Sequence, residues 1–363
     1  MLKCRGVLFG LVLASAMASG CTGPPAGANK AGGQPGGAVV LRMASTPFDL
    51  SDVPPVEEFV RRVASLSGGA IRINVTNQLG DYAPDAEAQL VRAVASGRFD
   101  LGWAGSRVFD SMGVSNFQAL SAPMLIDSYP LENAVLQSAV PGQMLDGLKG
   151  VGVKSLGVLG DGIRLPIGVR RPLLAPTDWR GISFGTYRSD VQEQAIRALG
   201  ATPVVAFGPF RSHDLDSGAI QGFELDVRRY ASLGLEGKAP FVAANVALWP
   251  EFDVLFANPA RLSSLTDEQR GWLEQAAGDA AKDSVGLAGD DSTYVRQACA
   301  AGSTFVNAMS ANLAALRRSF SVVYLTMERD PQTKSFILQI RRLRRSTPPG
   351  PALTIPAGCT GEP

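Results

Sequence analysis

From residue 39 onward the apolar positions switch repeatedly between a period of two and a period near 3.6. Residues 39–44 (VVLRMA) read as an opening strand, and Phe48 and Asp49 follow in a loop. Across 56–66, Val56, Phe59, Val60 and Val63 fall on one helical face, and Gly68-Gly69 ends that helix. Residues 71–76 (IRINVT) alternate as a second strand, and Asn77-Gln78-Leu79-Gly80 make a turn. A second amphipathic helix covers 85–96, Gly97 stops it, and 99–103 (FDLGW) form a third strand. Strand, helix, strand, helix, strand is the order of a parallel, helix-covered sheet. Ligands in such sheets sit beyond the carboxyl ends of the strands. The loops 45–49, 77–82 and 103–107 are therefore candidates, which singles out Asp49, Gln78 and Trp103. Trp103 has two readings, as a wall beside a ligand or as core filling.

The pattern beyond these strands is helical over 131–148, with Pro141-Gly142 inside it, and strand-like from 151. Between 156 and 224, two β-type runs flank a Pro-rich turn, and an amphipathic helix, a third apolar run and a short helix follow. Arg164 stands in the first turn of this stretch and Glu224 closes it. Arg164 either meets a ligand or pairs with Glu224 or Asp161 to hold the turn. Residues 226–236 read as helical or irregular, and 243–249 and 252–258 as strand-like. Thr266 and Gln269 form a capping box that opens a long alanine-rich helical stretch over 268–304, and 304–324 continue its character. The chain thus leaves a first lobe near 155 and returns to it near 250, and two such crossings suit a hinge closing on a ligand. The expected layout is lobe I in 39–155 and 250–290 and lobe II in 156–249. Helices packing across both lobes occupy 291–345, and an extended tail runs over 346–363.

The start of the chain reads differently. Lys3 and Arg5 precede an apolar run too short to span as a mature helix, and Ala18-Ser19-Gly20 stand before a cysteine. Residues 1–20 are therefore expected to be a signal peptide. The small residues before Cys21 resemble a bacterial lipobox, in which that cysteine is lipidated. A plain secretory cut near Ala18, with Cys21 incidental, is the competing reading. Residues 21–38, dominated by Gly, Pro and Ala, then make a flexible tether holding the domain near a membrane.

With 34 basic and 33 acidic side chains, no global field points to nucleic acid. The run Arg341-Arg342-Leu343-Arg344-Arg345 reads as a solvated helix face. Cys4 leaves with the leader and Cys21 is acylated, so Cys299 and Cys359 remain as an even pair in an oxidising compartment. A disulfide between them is expected, tied to a tail that is otherwise disordered; two unpaired thiols are the alternative. His213 is the only histidine and reads as a surface residue of a short helix. No nucleophile elbow, paired metal-type histidines, Cys-x-x-Cys or calcium loop occurs, so no catalytic residue, metal or cofactor is expected.

The order of short motifs resembles the extracytoplasmic solute receptors of tripartite ATP-independent periplasmic (TRAP) transporters, the DctP-like family. The pieces are Asn77-Gln78-Leu79-Gly80, Phe99-Asp100-Leu101-Gly102, Ala122-Pro123-Met124-Leu125 and Gly162-Ile163-Arg164. Pro176-Thr177-Asp178-Trp179-Arg180-Gly181, Ala198-Leu199-Gly200-Ala201 and Gly222-Phe223-Glu224 follow in family order. The resemblance implies a periplasmic-binding-protein-like α/β fold, with two lobes joined by hinge strands and a long helix and a ligand cleft between them. It implies capture of a small organic solute and delivery to TRAP permease membrane subunits, with no chemistry on the solute. A ligand-sensing or degenerate receptor without a transport role is the runner-up, and a carboxylate-only hydrolase stands behind it. The ligand-binding residues implied are Arg164, Glu224, Phe184, Tyr187, Arg188, Trp103, Gln78 and Asp49. One departure bears on the ligand. The strand after the Asp178–Gly181 turn carries the family's carboxylate-binding arginine, and Gly185 stands in its place here, with Arg188 three residues on.

Overall fold

A computed structural model describes residues 38–288 and 291–361. The expected leader, Cys21 and most of the expected tether lie outside the described residues. Ten strands follow in chain order: β1 (Val39–Ala44), β2 (Ile71–Thr76), β3 (Leu101–Gly105), β4 (Lys154–Gly168), β5 (Ser183–Thr186), β6 (Thr202–Val205), β7 (Gly222–Leu225), β8 (Phe241–Ala243), β9 (Trp249–Ala257) and β10 (Thr304–Val306). They hydrogen-bond in the order β2-β1-β3-β9-β4-β7-β5-β6, with β8 on β4 and β10 on β8. β1 runs parallel to both β2 and β3, as the alternation predicts.

Two long strands carry the chain between the halves. β9 lies antiparallel to β3 and β4, and β4 passes from β9 at one end to β7 and β8 at the other. Every residue of β9 is buried, and its sequence WPEFDVLFA is apolar except at Glu251 and Asp253. β4 is interrupted between Gly160 and Ile163, and Gly162 takes φ 104° there, a left-handed conformation that favours glycine. A side chain at Gly162 would also press on Asp226, whose Cβ stands 3.0 Å from where its own would be.

Helix Asp267–Ala288 lies on β4 and on helix Pro54–Leu66, and it buries Leu273, Ala276, Ala277 and Ala280 with Leu41, Met43, Phe59 and Val63. A second core gathers Ile167, Phe223, Leu225, Tyr230 and Val295 in the other half. The boundary expected near 155 falls at the first residues of β4, which belongs to both halves.

Several expectations need correction. Residues 243–249 are not one strand: β8 ends at Ala243, a turn follows, and Trp249 opens β9. The stretch 304–324 begins as a strand, because Thr304, Phe305 and Val306 add to β8 in register; helix resumes at Ser310. Helix 131–148 is broken into Tyr129–Leu136, Val140–Leu145 and a 3₁₀ turn, with Pro141 in the first turn of the second piece. The tail is ordered over the described residues. Leu353 and Ile355 pack against the second core, and Gly361 N–H donates to Phe305 O at 3.1 Å. A disulfide joins Cys299 to Cys359. A short apolar strap held at its far end resists disorder despite its prolines. Among the described residues no helix is long and apolar enough to cross a membrane.

Candidate functional site: an arginine-lined cleft

Glu251 on β9 sits between two guanidinium groups. Arg107, just past the end of β3, pairs with it through Nη1 and reaches Glu87 through Nη2 at 2.8 Å. Arg164 donates from Nη2 to the other Glu251 oxygen at 2.7 Å, and its Nη1 stands 3.6 Å from Glu224. Glu87 also accepts from Gly105 N–H at 3.0 Å, and Glu224 from Thr186 Oγ1 at 3.1 Å. These groups are almost wholly withdrawn from solvent: Arg164 is 0% exposed, Glu224 1%, Glu251 4% and Arg107 5%.

The strands explain the gathering. Arg164 sits where β4 leaves the β9 ladder, opposite Trp249, and Glu224 pairs in register with Pro166 on the next strand. Ile163 and Leu165, on either side of Arg164, face a separate cavity of about 420 Å³ bounded by Tyr129 and the tail. Burial pushes the Glu251 carboxyl up, but Arg107 and Arg164 together hold it below the usual carboxylate range. Burial dominates at Glu224, which is raised despite Arg164.

Tyr187 covers this network. Its ring lies 4.2 Å from the Arg107 guanidinium, 4.7 Å from that of Arg164 and 5.4 Å from that of Arg211. Burial pushes its phenol up, yet Arg211, Arg164 and two further arginines bring it below the ordinary tyrosine value.

Two further contacts join Tyr82 and Asp110 to the segments beside Tyr187. Tyr82, in the loop after β2, meets Phe207 edge-on at 5.8 Å, and Phe207 meets Tyr187 at 5.6 Å. That loop holds Gln78, Asp81 and Tyr82 at φ of 55°, 49° and 55°. Non-glycine residues in this region cost roughly 1–3 kcal/mol each and collect at functional segments. The second contact is Asp110, which accepts from Ser189 Oγ at 2.8 Å and from the amides of Asp190 and Val191 at 3.1 Å each. It thereby caps a helix of the other lobe (Asp190–Ala198). Burial raises the Asp110 carboxyl to about 6 against these hydrogen bonds.

The residues expected to line the site part company here. Arg164, Glu224 and Tyr187 meet, and Gln78 stands at the rim with its amide 3.4 Å from Tyr82 Oη. Phe184 is instead packed on Trp179 at 4.6 Å, because it points to the opposite side of β5 from its neighbour Gly185. Trp103 belongs to the first core, where Nε1 donates to Ser45 Oγ at 3.2 Å. Asp49 is exposed and caps the turn Leu50–Asp52, and Arg188 is exposed beside Tyr187. Glu87, Glu251, Arg211 and Asp110 were not expected, and Arg107 was covered only as the last residue of the candidate loop 103–107. For Glu251 a signal existed: a carboxylate inside a continuously apolar strand must have a buried partner. The described residues hold no cluster of side chains able to ligate a metal.

The model of bacterial extracellular solute-binding proteins, family 7 (DctP), matches residues 53–330. The chain belongs to this family. Over 117 residues it is 28% identical to the C4-dicarboxylate-binding periplasmic protein DctP of Rhodobacter capsulatus, covering 32% of this chain and 34% of that protein. Over 227 residues it is 25% identical to the uncharacterized protein y4mM of Sinorhizobium fredii, covering 62% of this chain and 40% of that one. The chain thus matches well under two thirds of the length of either relative. Among solved structures, a TRAP periplasmic solute-binding protein from Ralstonia eutropha, with bound (S)-2-acetolactate, superposes with a TM-score of 0.76 at 20% identity, covering 85% of this chain and 99% of that one. A second, from Chromohalobacter salexigens with bound D-glucuronate, gives a TM-score of 0.74 at 19% identity, with coverage of 84% and 99%. These likenesses establish the two-lobe receptor fold. Within this DctP-family chain, Gly185 is tightly packed: its Cβ would lie 2.9 Å from Ile220 Cδ1 and 3.2 Å from Phe223 Cβ, so a side chain there would have to displace both.

Proposed function

We propose that this chain is an extracytoplasmic receptor that captures a small organic acid between its lobes and delivers it to a TRAP-type permease. The observation that carries this reading is the buried guanidinium cluster, in which Tyr187 lies over Arg107, Arg164 and Arg211, with Tyr82 and Asp110 in contact with the segments beside it. Family membership supports it, as do the uronate and hydroxy-keto acid bound by similar proteins. Buried carboxylates need charge-assisted donors, and a cleft built around arginines provides the right kind of group. The protein acts by binding and closing, not by transforming its ligand.

The lipobox-like Ala18-Ser19-Gly20-Cys21 supports anchoring at the outer face of the cell membrane through Cys21. C21S is then expected to move the protein from the membrane fraction into the soluble extracytoplasmic fraction; membrane retention of this variant removes the anchor. For the receptor itself, the test is a thermal-shift and calorimetric screen of the full chain. The panel holds D-glucuronate, (S)-2-acetolactate, D-erythronate, 3-hydroxyphenylacetate, amino acids and neutral sugars. A true ligand at a hundredfold excess over its Kd adds about 2.7 kcal/mol of stability. A panel that shifts nothing overturns the receptor reading.

A further inference from the structure

Arg211 is a buried cation of this cluster with no ion-pair partner among the described residues. It lies in helix Pro209–Asp216 and is 3% exposed. No ion pair or side-chain hydrogen bond joins it to any described residue, and its Nε is buried without a partner. Its guanidinium is flanked instead by aromatic faces, Tyr187 at 5.4 Å and Phe223 at 5.6 Å. A guanidinium does not shed its proton, so burial cannot neutralise it and an acceptor must be supplied.

The other charges are already committed. Glu251 serves Arg107 and Arg164, Glu87 serves Arg107 and the Gly105 amide, and Glu224 serves Arg164 and Thr186. Tyr187 lies across Arg107 and Arg164, which screens them from the cleft. The position of Arg211 completes the case. Phe223, beneath it, is the register partner of Gly185, the residue that stands where the resemblance places a carboxylate-binding arginine. Side-chain packing closes that position, and a neighbouring helix brings a guanidinium over the same pair of strands.

We propose that Arg211 is the ligand's anion anchor, and that the ligand carries a single carboxylate. A second carboxylate on the ligand would face Glu87, Glu224 and Glu251, and although Arg164 Nη1 also lacks a hydrogen bond, its charge is already met by Glu251 and Glu224 beneath Tyr187. This inference rests on the receptor reading above, and the experiment separates the two. Calorimetry on the full chain compares the acids of that panel with their primary amides and with succinate. The expected result is binding of one or more monocarboxylates, no binding of the matching amide, and binding of succinate at least tenfold weaker. R211Q, which keeps bulk and polarity but removes the charge, is expected to lose at least ~30-fold in affinity for the acid, the low end for breaking a buried charge pair. R211K keeps the charge without the fork and serves should R211Q not fold; it is expected to bind the acid roughly tenfold more weakly and still to refuse the amide. Wild-type affinity for the acid in either folded variant overturns the assignment and leaves the receptor reading standing. The same holds if the protein takes succinate as well as any monocarboxylate, whereas binding of neutral solutes alone overturns both the assignment and the organic-acid reading. If the wild-type chain binds nothing in the panel, both fail together.

Discussion

Glu251 and Asp253 stand two residues apart on β9, point the same way from the strand and are equally withdrawn from water, at 4% and 0% exposure. Their chemistry is opposite. Glu251 lies between Arg107 and Arg164 and is held below the usual carboxylate range even though burial works against it. Neither oxygen of Asp253 has a hydrogen-bond partner among the described residues. Burial first, and then the nearby Asp161 and Glu251 carboxylates, push it well above its ordinary value. Burial is common to both, so it does not decide the charge state; the presence of a guanidinium does. The difference also divides the strand by task. Glu251 is held toward its ionised form and fixes two arginines beneath Tyr187, whereas Asp253, beside two other carboxylates, is held toward its protonated form.

The largest effect should come from removing the ionised member. Glu251→Ala leaves two buried guanidinium groups short of an acceptor, and loss of one partner from such a network costs about 3–5 kcal/mol. Urea unfolding of the variant measures it, and a loss below about 1 kcal/mol would mean that Glu251 does not organise the arginines. Glu251→Gln should fall between, since the amide still accepts one hydrogen bond.

The pH dependence sharpens the contrast, because the two acids have opposite signs. Glu251 binds its proton more weakly in the folded state, so its contribution is present above the ordinary carboxylate range and is lost as pH falls below it. Asp253 binds its proton more tightly when folded. Its contribution is complete below an unfolded value of about 4 and declines as pH rises above it. Asp253→Asn should therefore flatten the decline of stability between weakly acid and neutral pH, and Glu251→Gln should flatten the acid limb. Melting temperatures of the three proteins across that range decide the matter; parallel curves would show that the two positions are electrostatically alike.

What the chain alone revealed follows the same division. The parallel order of β1, β2 and β3 was readable because apolar periodicity reports which face of an element is buried. Arg164 and Glu224 stood out because each is a charge in an apolar stretch of the second lobe. Glu87 and Arg211 did not: the partner of Glu87 comes from a distant part of the chain, Arg211 has no side-chain hydrogen bond or ion pair among the described residues, and ordinary helical surroundings hide both; Arg107 was covered only by a candidate loop. Phe184 shows the converse error. The resemblance put Phe184 at the site with Tyr187, but the pleat of β5 sends Phe184 to Trp179. Similarly, β10 was read as helix because three residues that add to β8 carry too little pattern to outweigh helical sequence on both sides.

The smallest effect concerns a third buried acid, one that hydrogen bonds hold without any arginine. Asp110 accepts from Ser189 Oγ and from two amides at the start of a helix in the opposite lobe, and burial still brings its carboxyl up to about 6. It thus lies between Glu251 and Asp253: better satisfied than the latter, without the full countercharge of the former. The folded state again binds the proton more tightly, so stability from this group declines as pH rises from about 4 and levels off beyond 6. Asp110→Asn retains an acceptor oxygen for the hydroxyl or an amide and should change stability by no more than about 1 kcal/mol. It should also remove the part of the slope that ends near pH 6. Because Asp110 joins the two lobes, the variant should open more readily as well, which small-angle scattering would register as a larger radius of gyration in the ligand-free protein. An unchanged radius together with an unchanged pH slope would mean that this carboxyl neither titrates in that range nor holds the lobes together.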